Sequence, residues 1–206
     1  MARISESTVR RLSLYLHFLE QWAAQGRATI SSGELARLGG TTSAQVRKDL
    51  SFFGSFGKRG LGYAVKDLAT HIRDILGLKG GHRVILIVAG KLGGALVHYP
   101  GFRQRGFEIV AVYDHDARKI GSRWNGLAVR DIKHLEHDLR REPTDIAVVV
   151  TPADAAQGVV DRLAGAGVRA ILNFATVPLA VPQDVEMRTV NMALELEALT
   201  YALAHR

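Results

Sequence analysis

Apolar residues in the first 80 positions recur at three- and four-residue steps. Val9, Leu12, Leu16, Leu19 and Ala23 put one inward stripe on a helix over residues 5–25, with Gly26 as its stop. Ser31-x-x-Glu34 reads as a capping box opening a short helix with Leu35 and Leu38 inward, ended by Gly39-Gly40. Thr42-x-x-Gln45 reads as a second capping box, opening a helix that runs to about Phe52. Two short helices around a glycine turn make a helix-turn-helix. The next stretch, "FGSFGKRGLGYAV" (53–65), interleaves glycines with Phe56, Leu61, Tyr63 and Val65, which predicts a β-hairpin with Lys58-Arg59 near its tip. Helical spacing returns over 66–77, and "GLKGGHR" (77–83) reads as a linker.

From Arg83 the period changes. Apolar runs at 83–88, 107–113, 145–150 and 169–174 alternate with helical segments near 92–98, 131–141, 153–165 and 192–204. Continuous apolar strands separated by helices imply a parallel sheet covered on both faces. The expected chain is therefore α/β. It has an N-terminal winged helix-turn-helix domain (1–80), a C-terminal Rossmann-like parallel-sheet domain (81–190) and a C-terminal helix (191–206).

Charge sharpens this division. Residues 1–80 hold 12 Lys and Arg against 6 Asp and Glu, whereas the rest hold 15 against 14. A basic N-terminal half points to an anionic partner, nucleic acid foremost, with ordinary solvated charge as the plainer alternative. There is no cysteine, which excludes thiol catalysis and a disulfide framework and fits a reducing compartment. No apolar run is long enough to span a membrane, and the N-terminus lacks a signal-peptide core, so a cytoplasmic location is expected.

On the second short helix, Val46 and Leu50 point inward and leave Gln45, Arg47, Lys48 and Ser51 toward solvent. These side chains suit base edges and phosphates, and the helix N-terminus at Ser43 favours a phosphate. With Lys58 and Arg59 on the wing, the group forms a candidate interface for double-stranded DNA.

In the second half, "LIVAGKLGGAL" (86–96) resembles a dinucleotide turn with Val88 at the first glycine position. Ala89, Gly90, Lys91, Leu92 and Gly93 would face a pyrophosphate, with Gly90 allowing close approach and Gly93 allowing close helix–strand packing. Asp114 ends the second strand, 24 residues after Gly90, where a carboxylate can accept from ribose hydroxyls. Thr151-Pro152 and Asn173-Phe174 follow other strand ends, where ligands of such sheets lie. A scaffold without ligand is the plainer alternative. Residues 83–206 are consumed by the sheet and its helices, leaving no second substrate domain, so no enzyme is expected. His134-x-x-His137 lacks the HExxH pattern and a third ligand, and reads as surface histidines.

The segments "VRKDLSFFGSFGKRGLGY" (46–63), "HYPGF" (98–102) and "ILNFA" (171–175), with the glycine turn, closely resemble the bacterial redox-sensing repressors of the Rex family. The resemblance implies a homodimer binding palindromic operator DNA and NADH or NAD⁺, with release from DNA when NADH rises. It also implies a C-terminal helix swapped into the partner subunit. By the same resemblance, His17 and Asn191 occupy the positions of a charged switch contact, and Tyr99 lies near the cofactor at the interface. Thr176 stands where the family commonly has proline. Two rivals stay open: a small NAD-dependent enzyme with a basic accessory domain, and a DNA-binding regulator that senses no NADH or another nucleotide such as a CoA derivative.

Overall fold

In the computed structural model, residues 4–58, 60–88 and 90–205 are described. The chain divides into two compact units at Gly80/Gly81.

The first unit begins with α1 (Glu6–Ala24), whose N-cap Ser5 accepts a hydrogen bond from the backbone of Thr8. Its buried stripe is Thr8, Leu12, Tyr15, Leu16 and Leu19. The expected stripe is rotated slightly: Val9 is exposed and Ala23 half-buried, because Tyr15 lies at the centre of the inward face and Val9 falls beyond its edge. After β1 (Thr29–Ile30) come α2 (Ser32–Leu38) and α3 (Ser43–Ser51). The first capping box forms in full between Ser31 and Glu34. The second forms by half. Thr42 accepts from the Gln45 backbone, but the Gln45 side chain turns to Asp49. The hairpin β2 (Gly57–Lys58) and β3 (Gly62–Ala64) gains β1 as a third antiparallel strand, in the order β1-β3-β2. At Gly62 the backbone has φ +83, and a Cβ there would lie 2.3 Å from the Ile30 carbonyl oxygen. Glycine alone lets the wing seat this closely. Helix α4 (Val65–Ile75) closes the core through Leu68 and Ile72.

The second unit is a seven-stranded sheet. Its strands are β4 (His82–Val88), β5 (Phe107–Asp114), β6 (Arg123–Trp124), β7 (Leu127–Asp131), β8 (Ile146–Val150), β9 (Ala170–Asn173) and β10 (Glu186–Thr189). Their spatial order is β10-β9-β8-β4-β5-β7-β6, parallel throughout except for β6 against β7. The chain starts at β4, builds outward through β5 and β7, then returns to lay β8 on the other side of β4. The strand order therefore switches between β4 and β8, where the carboxyl ends of a doubly wound sheet open a crevice.

Alternation along β4 supplies both cores. Ile85 and Ile87 pack with α7 (Leu135–Arg141) and α8 (Ala153–Gly165), while Val84, Leu86 and Val88 pack with α5 (Lys91–Val97). The segment expected to be helical over 131–141 begins with a 3-10 turn at Ile132–His134 before α7. In this unit three features escaped the sequence pattern: α6 (Pro100–Gln104), the β6–β7 hairpin and edge strand β10. All are short, and β10 pairs across a loop. The last helix, α9 (Met192–Ala204), buries none of its residues. Among the described residues no helix is long and apolar enough to cross a membrane.

Candidate functional site

At the β4/β8 switch, the turn after Val88 enters α5 through Gly90. Ala89 lies outside the described residues. A Cβ on Gly90 would meet nothing within 4 Å, so the backbone there faces open space. A Cβ on Gly93 would lie 2.3 Å from Cγ1 of Val88. Gly93 is thus the packing glycine of the turn, and Val88, buried at the first glycine position, fills the space beneath it. Lys91 and Leu92 are exposed on the first turn of α5. Across the switch, β8 ends at Val150, and Thr151-Pro152 lead into α8, with Pro152 as its N-cap. The Thr151 hydroxyl oxygen is buried and, among the described residues, has no hydrogen-bond partner. An orphaned hydroxyl, an open glycine backbone and the N-terminus of α8 together fit a phosphate-bearing dinucleotide.

The other two strand ends behave differently from expectation. Asp114 is buried, and each of its oxygens already accepts one hydrogen bond. Oδ2 accepts from Lys119 Nζ at 2.9 Å and Oδ1 from the Asp116 backbone at 2.9 Å. A ribose would meet a carboxylate already paired with Lys119. Asn173 is spent inside its own turn. Its Oδ1 accepts from the Ala175 backbone at 2.8 Å, and its Nδ2 donates to the Ala175 carbonyl at 3.0 Å and to Thr189 at 3.3 Å. Phe174 is half-buried, its backbone N–H bonded to Val149. Asn173 therefore shapes the crevice wall and offers little to a ligand.

In the first unit, Arg47, Lys48 and Ser51 are exposed on α3, and Ser43 begins it half-buried. Arg47 donates to Ser32 Oγ at 3.1 Å, and Ser51 to the Lys48 carbonyl at 2.8 Å. A groove of about 520 Å³ separates α3 from the wing, lined by Ser32, Arg47, Ser51, Ser55 and Leu61 among others. The backbone of Lys58 lies in β2, and Arg59 lies outside the described residues. Gln45 departs from the expected outward group. It is half-buried, and its Nε2 donates to Asp49 Oδ1 at 2.8 Å.

Sequence reasoning passed over that partner. Asp49 shares the inward face of α3 with Val46 and Leu50 and is buried. Arg11 forks onto it through Nε at 2.6 Å and Nη2 at 2.8 Å, and the Tyr15 hydroxyl donates at 3.1 Å. Burial alone would raise the Asp49 pKa. Hydrogen bonds from Arg11, Gln45 and Tyr15, with the Arg11 charge, outweigh it and leave the carboxyl below the usual carboxylate value. The signal was legible, since a carboxylate on an apolar stripe needs a buried cation facing it.

Of the switch positions, His17 is half-buried on α1 and hydrogen-bonded to Gln21 at 3.2 Å. Asn191 caps α9, its Oδ1 accepting from the Ala193 backbone at 3.0 Å. Tyr99 is exposed and packs edge-on against Phe102. It follows α5 at the end opposite Gly90, so one chain does not join it to the glycine turn.

Residues 3–51 match a family model described as a putative DNA-binding protein N-terminus, and residues 81–177 match one described as a CoA binding domain. The chain is 47% identical over 204 residues to a redox-sensing transcriptional repressor Rex of Desulfitobacterium hafniense, covering 99% of this chain and 97% of that protein. It is 47% identical over 199 residues to the protein of the same name from Carboxydothermus hydrogenoformans, covering 97% and 96%. Among solved structures, the Rex-family repressor RSP in complex with β-NAD⁺ and operator DNA aligns with a TM-score of 0.93 at 36% identity, covering 100% of this chain and 94% of that one. RSP in complex with β-NADH aligns with a TM-score of 0.91 at 34% identity, covering 100% and 96%.

Proposed function

The chain belongs to the Rex family of redox-sensing transcriptional repressors, and on that premise we propose how its own residues carry the function. It is a DNA-binding repressor that answers to NADH and NAD⁺, a regulator and not an enzyme. The observation that carries the residue assignment is that the orphaned Thr151 hydroxyl and the open Gly90 backbone follow the carboxyl ends of the neighbouring strands β8 and β4. Gly90, Lys91, Leu92 and Gly93 border the pyrophosphate. Thr151 donates its unused hydroxyl, Pro152 opens the α8 N-terminus, and the Asp114–Lys119 pair meets the adenosine ribose. The bound cofactor supplies the redox signal alone. Operator DNA is read by α3 through Arg47, Lys48 and Ser51, with a phosphate at Ser43 and the wing residues Lys58 and Arg59 on the backbone. Such DNA is found in the cytoplasm, where we place the protein.

Two surfaces support a homodimer. α9 carries Met192, Leu194, Leu196, Leu199, Tyr201 and Leu203 exposed around its circumference. Apart from Glu195, Glu197 and Thr200 the helix is apolar, with large side chains on two opposite faces, and such a helix is built to be buried on more than one side. The sheet also leaves an apolar groove open, lined by Val84, Phe107, Ile146 and Leu172 together with Tyr99. A second copy that lends its α9 and covers this face satisfies both. Tyr99 would then act across the interface, and His17 and Asn191 stand at the positions where relatives of the family have a charged contact.

In such a dimer two α3 helices read a palindrome only when roughly 34–36 Å, or a multiple, separates them. A cofactor that binds one dimer arrangement better than the other changes that spacing without touching DNA. Titrating operator DNA by fluorescence anisotropy is expected to show weaker binding with saturating NADH and little change with NAD⁺. Equal operator affinity with and without NADH would overturn the sensor reading. A calorimetric arm with CoA, which shares the adenosine pyrophosphate, separates the rival ligand from NADH.

A further inference from the structure

Helix α3 has a second face, turned away from the DNA-reading residues. There the Asp49 carboxylate accepts four hydrogen bonds. Oδ2 takes Arg11 Nε and the Tyr15 hydroxyl, and Oδ1 takes Arg11 Nη2 and Gln45 Nε2. Arg11 Nη2 also donates to Thr8 Oγ1 at 3.1 Å, and Thr8 is hydrogen-bonded to Ser5, the N-cap of α1, at 3.0 Å. A line of polar groups thus runs from the start of α1 through Thr8 and Arg11 to one buried carboxylate on α3, where Tyr15 also donates.

Such a network is a poor way to gain stability. Desolvating an arginine and a carboxylate offsets most of their attraction, and apolar residues of the same volume often serve as well. It is a good way to gain direction. Apolar contacts between helices allow small rotations, whereas a planar guanidinium fork on a carboxylate holds one orientation. Arg47 and Lys48 sit one and two positions before Asp49, so any rotation of α3 that broke the fork would swing both by the same angle. Reading base edges demands side chains placed within about 10–20°.

We propose that Arg11, Tyr15 and Gln45 act through Asp49 as positioning residues for operator recognition, setting the rotation of α3 about its own axis. Gln45 is assigned to this network and not to a base. The assignment rests on α3 being the recognition helix.

The test uses full-length protein, an operator duplex selected from a random pool by the wild type, its single-base-pair variants and a non-operator duplex. Gln45→Leu removes one of the four bonds at a half-buried position. It is expected to weaken operator binding by about tenfold, with preference flattened evenly over the contacted base pairs. Loss of preference at a single base pair would show that Gln45 reads that base and would overturn the proposal. Arg11→Met with Asp49→Leu replaces the pair by apolar groups. In a variant that still melts cooperatively, the ratio of operator to non-operator affinity should fall about tenfold or more, because mispositioned base contacts are lost while phosphate contacts persist. An unchanged ratio would overturn the proposal, and if this variant does not fold the Gln45→Leu result decides. Arg11→Lys keeps the charge but loses the fork, so it should reproduce the fall; full retention of the ratio would also overturn it. Failure of the wild type to select any operator would instead sink the recognition reading beneath the proposal.

Discussion

Thr151 has a buried hydroxyl oxygen and Asp49 a buried carboxylate, yet the structure treats them in opposite ways. Thr151 has a hydroxyl with no partner, Asp49 a carboxylate with four hydrogen bonds. An unsatisfied buried hydroxyl costs about 1–3 kcal/mol, and a bound ligand that accepts from it recovers part of that. Thr151→Val is therefore expected to leave the melting temperature equal or higher while weakening NADH binding about tenfold, as read by calorimetry beside a thermal melt. Unchanged NADH affinity would remove Thr151 from the site. Asp49 predicts a pH dependence of stability. Its folded pKa is depressed, so the unfolded chain takes up the proton more readily and the stabilisation is present above the unfolded value. Glu34 behaves alike, held at about 2 by the Ser31 backbone N–H, the Ser31 hydroxyl and Arg27. Against unfolded values of about 3.9 and 4.3, both contributions are complete at neutral pH and drain away as the pH falls below about 4. Melting temperatures should hold from pH 7 to about 5 and then fall, less steeply in the Arg11→Met/Asp49→Leu variant.

At the scale of elements, propensity and packing part company in α9. Its sequence is rich in helix formers, but its leucines remain 57–65% exposed within the chain. Exposed apolar patches of this kind mark an association surface. Leu196→Glu with Leu199→Glu keeps good helix formers and places charge where the proposed partner would cover it. The variant is expected to sediment as a monomer where the wild type is a dimer, and to lose operator affinity, since a single α3 reads half a palindrome. A dimer of unchanged stability would show that α9 is not the interface. The elements that periodicity missed are short, and two of the strands among them are held by partners far along the chain. Two-residue β1 exists because β3 lies beside it, and β10 because β9 does. Neither has enough residues for an alternation to register.

At the scale of the molecule, the two tasks lie in separate units, with the basic excess on the DNA-binding side. Communication between them is a matter of linked equilibria. The factor by which NADH weakens operator binding must equal the factor by which operator DNA weakens NADH binding. Measuring NADH affinity with and without saturating operator duplex should return that reciprocal factor; a mismatch beyond error would mean that DNA and NADH are not linked through one dimer equilibrium.

What the sequence determined by itself was whatever depends on neighbours along the chain. The helical stripes of the first unit, the alternating strands and helices of the second, the packing role of Gly93 and the outward set Arg47, Lys48 and Ser51 all follow from periods of a few residues. Tertiary structure decided which polar atoms were already spent. Gln45 had the chemistry to read adenine, but Asp49 reached it first, and Asp114 offers a ribose a carboxylate that already holds Lys119. The inward aspartate of α3 found its arginine 38 residues earlier, and the Thr151 hydroxyl found no partner among the described residues. Hydrogen bonds saturate and have direction, so a side chain's availability depends on atoms brought close by folding, which no local pattern records.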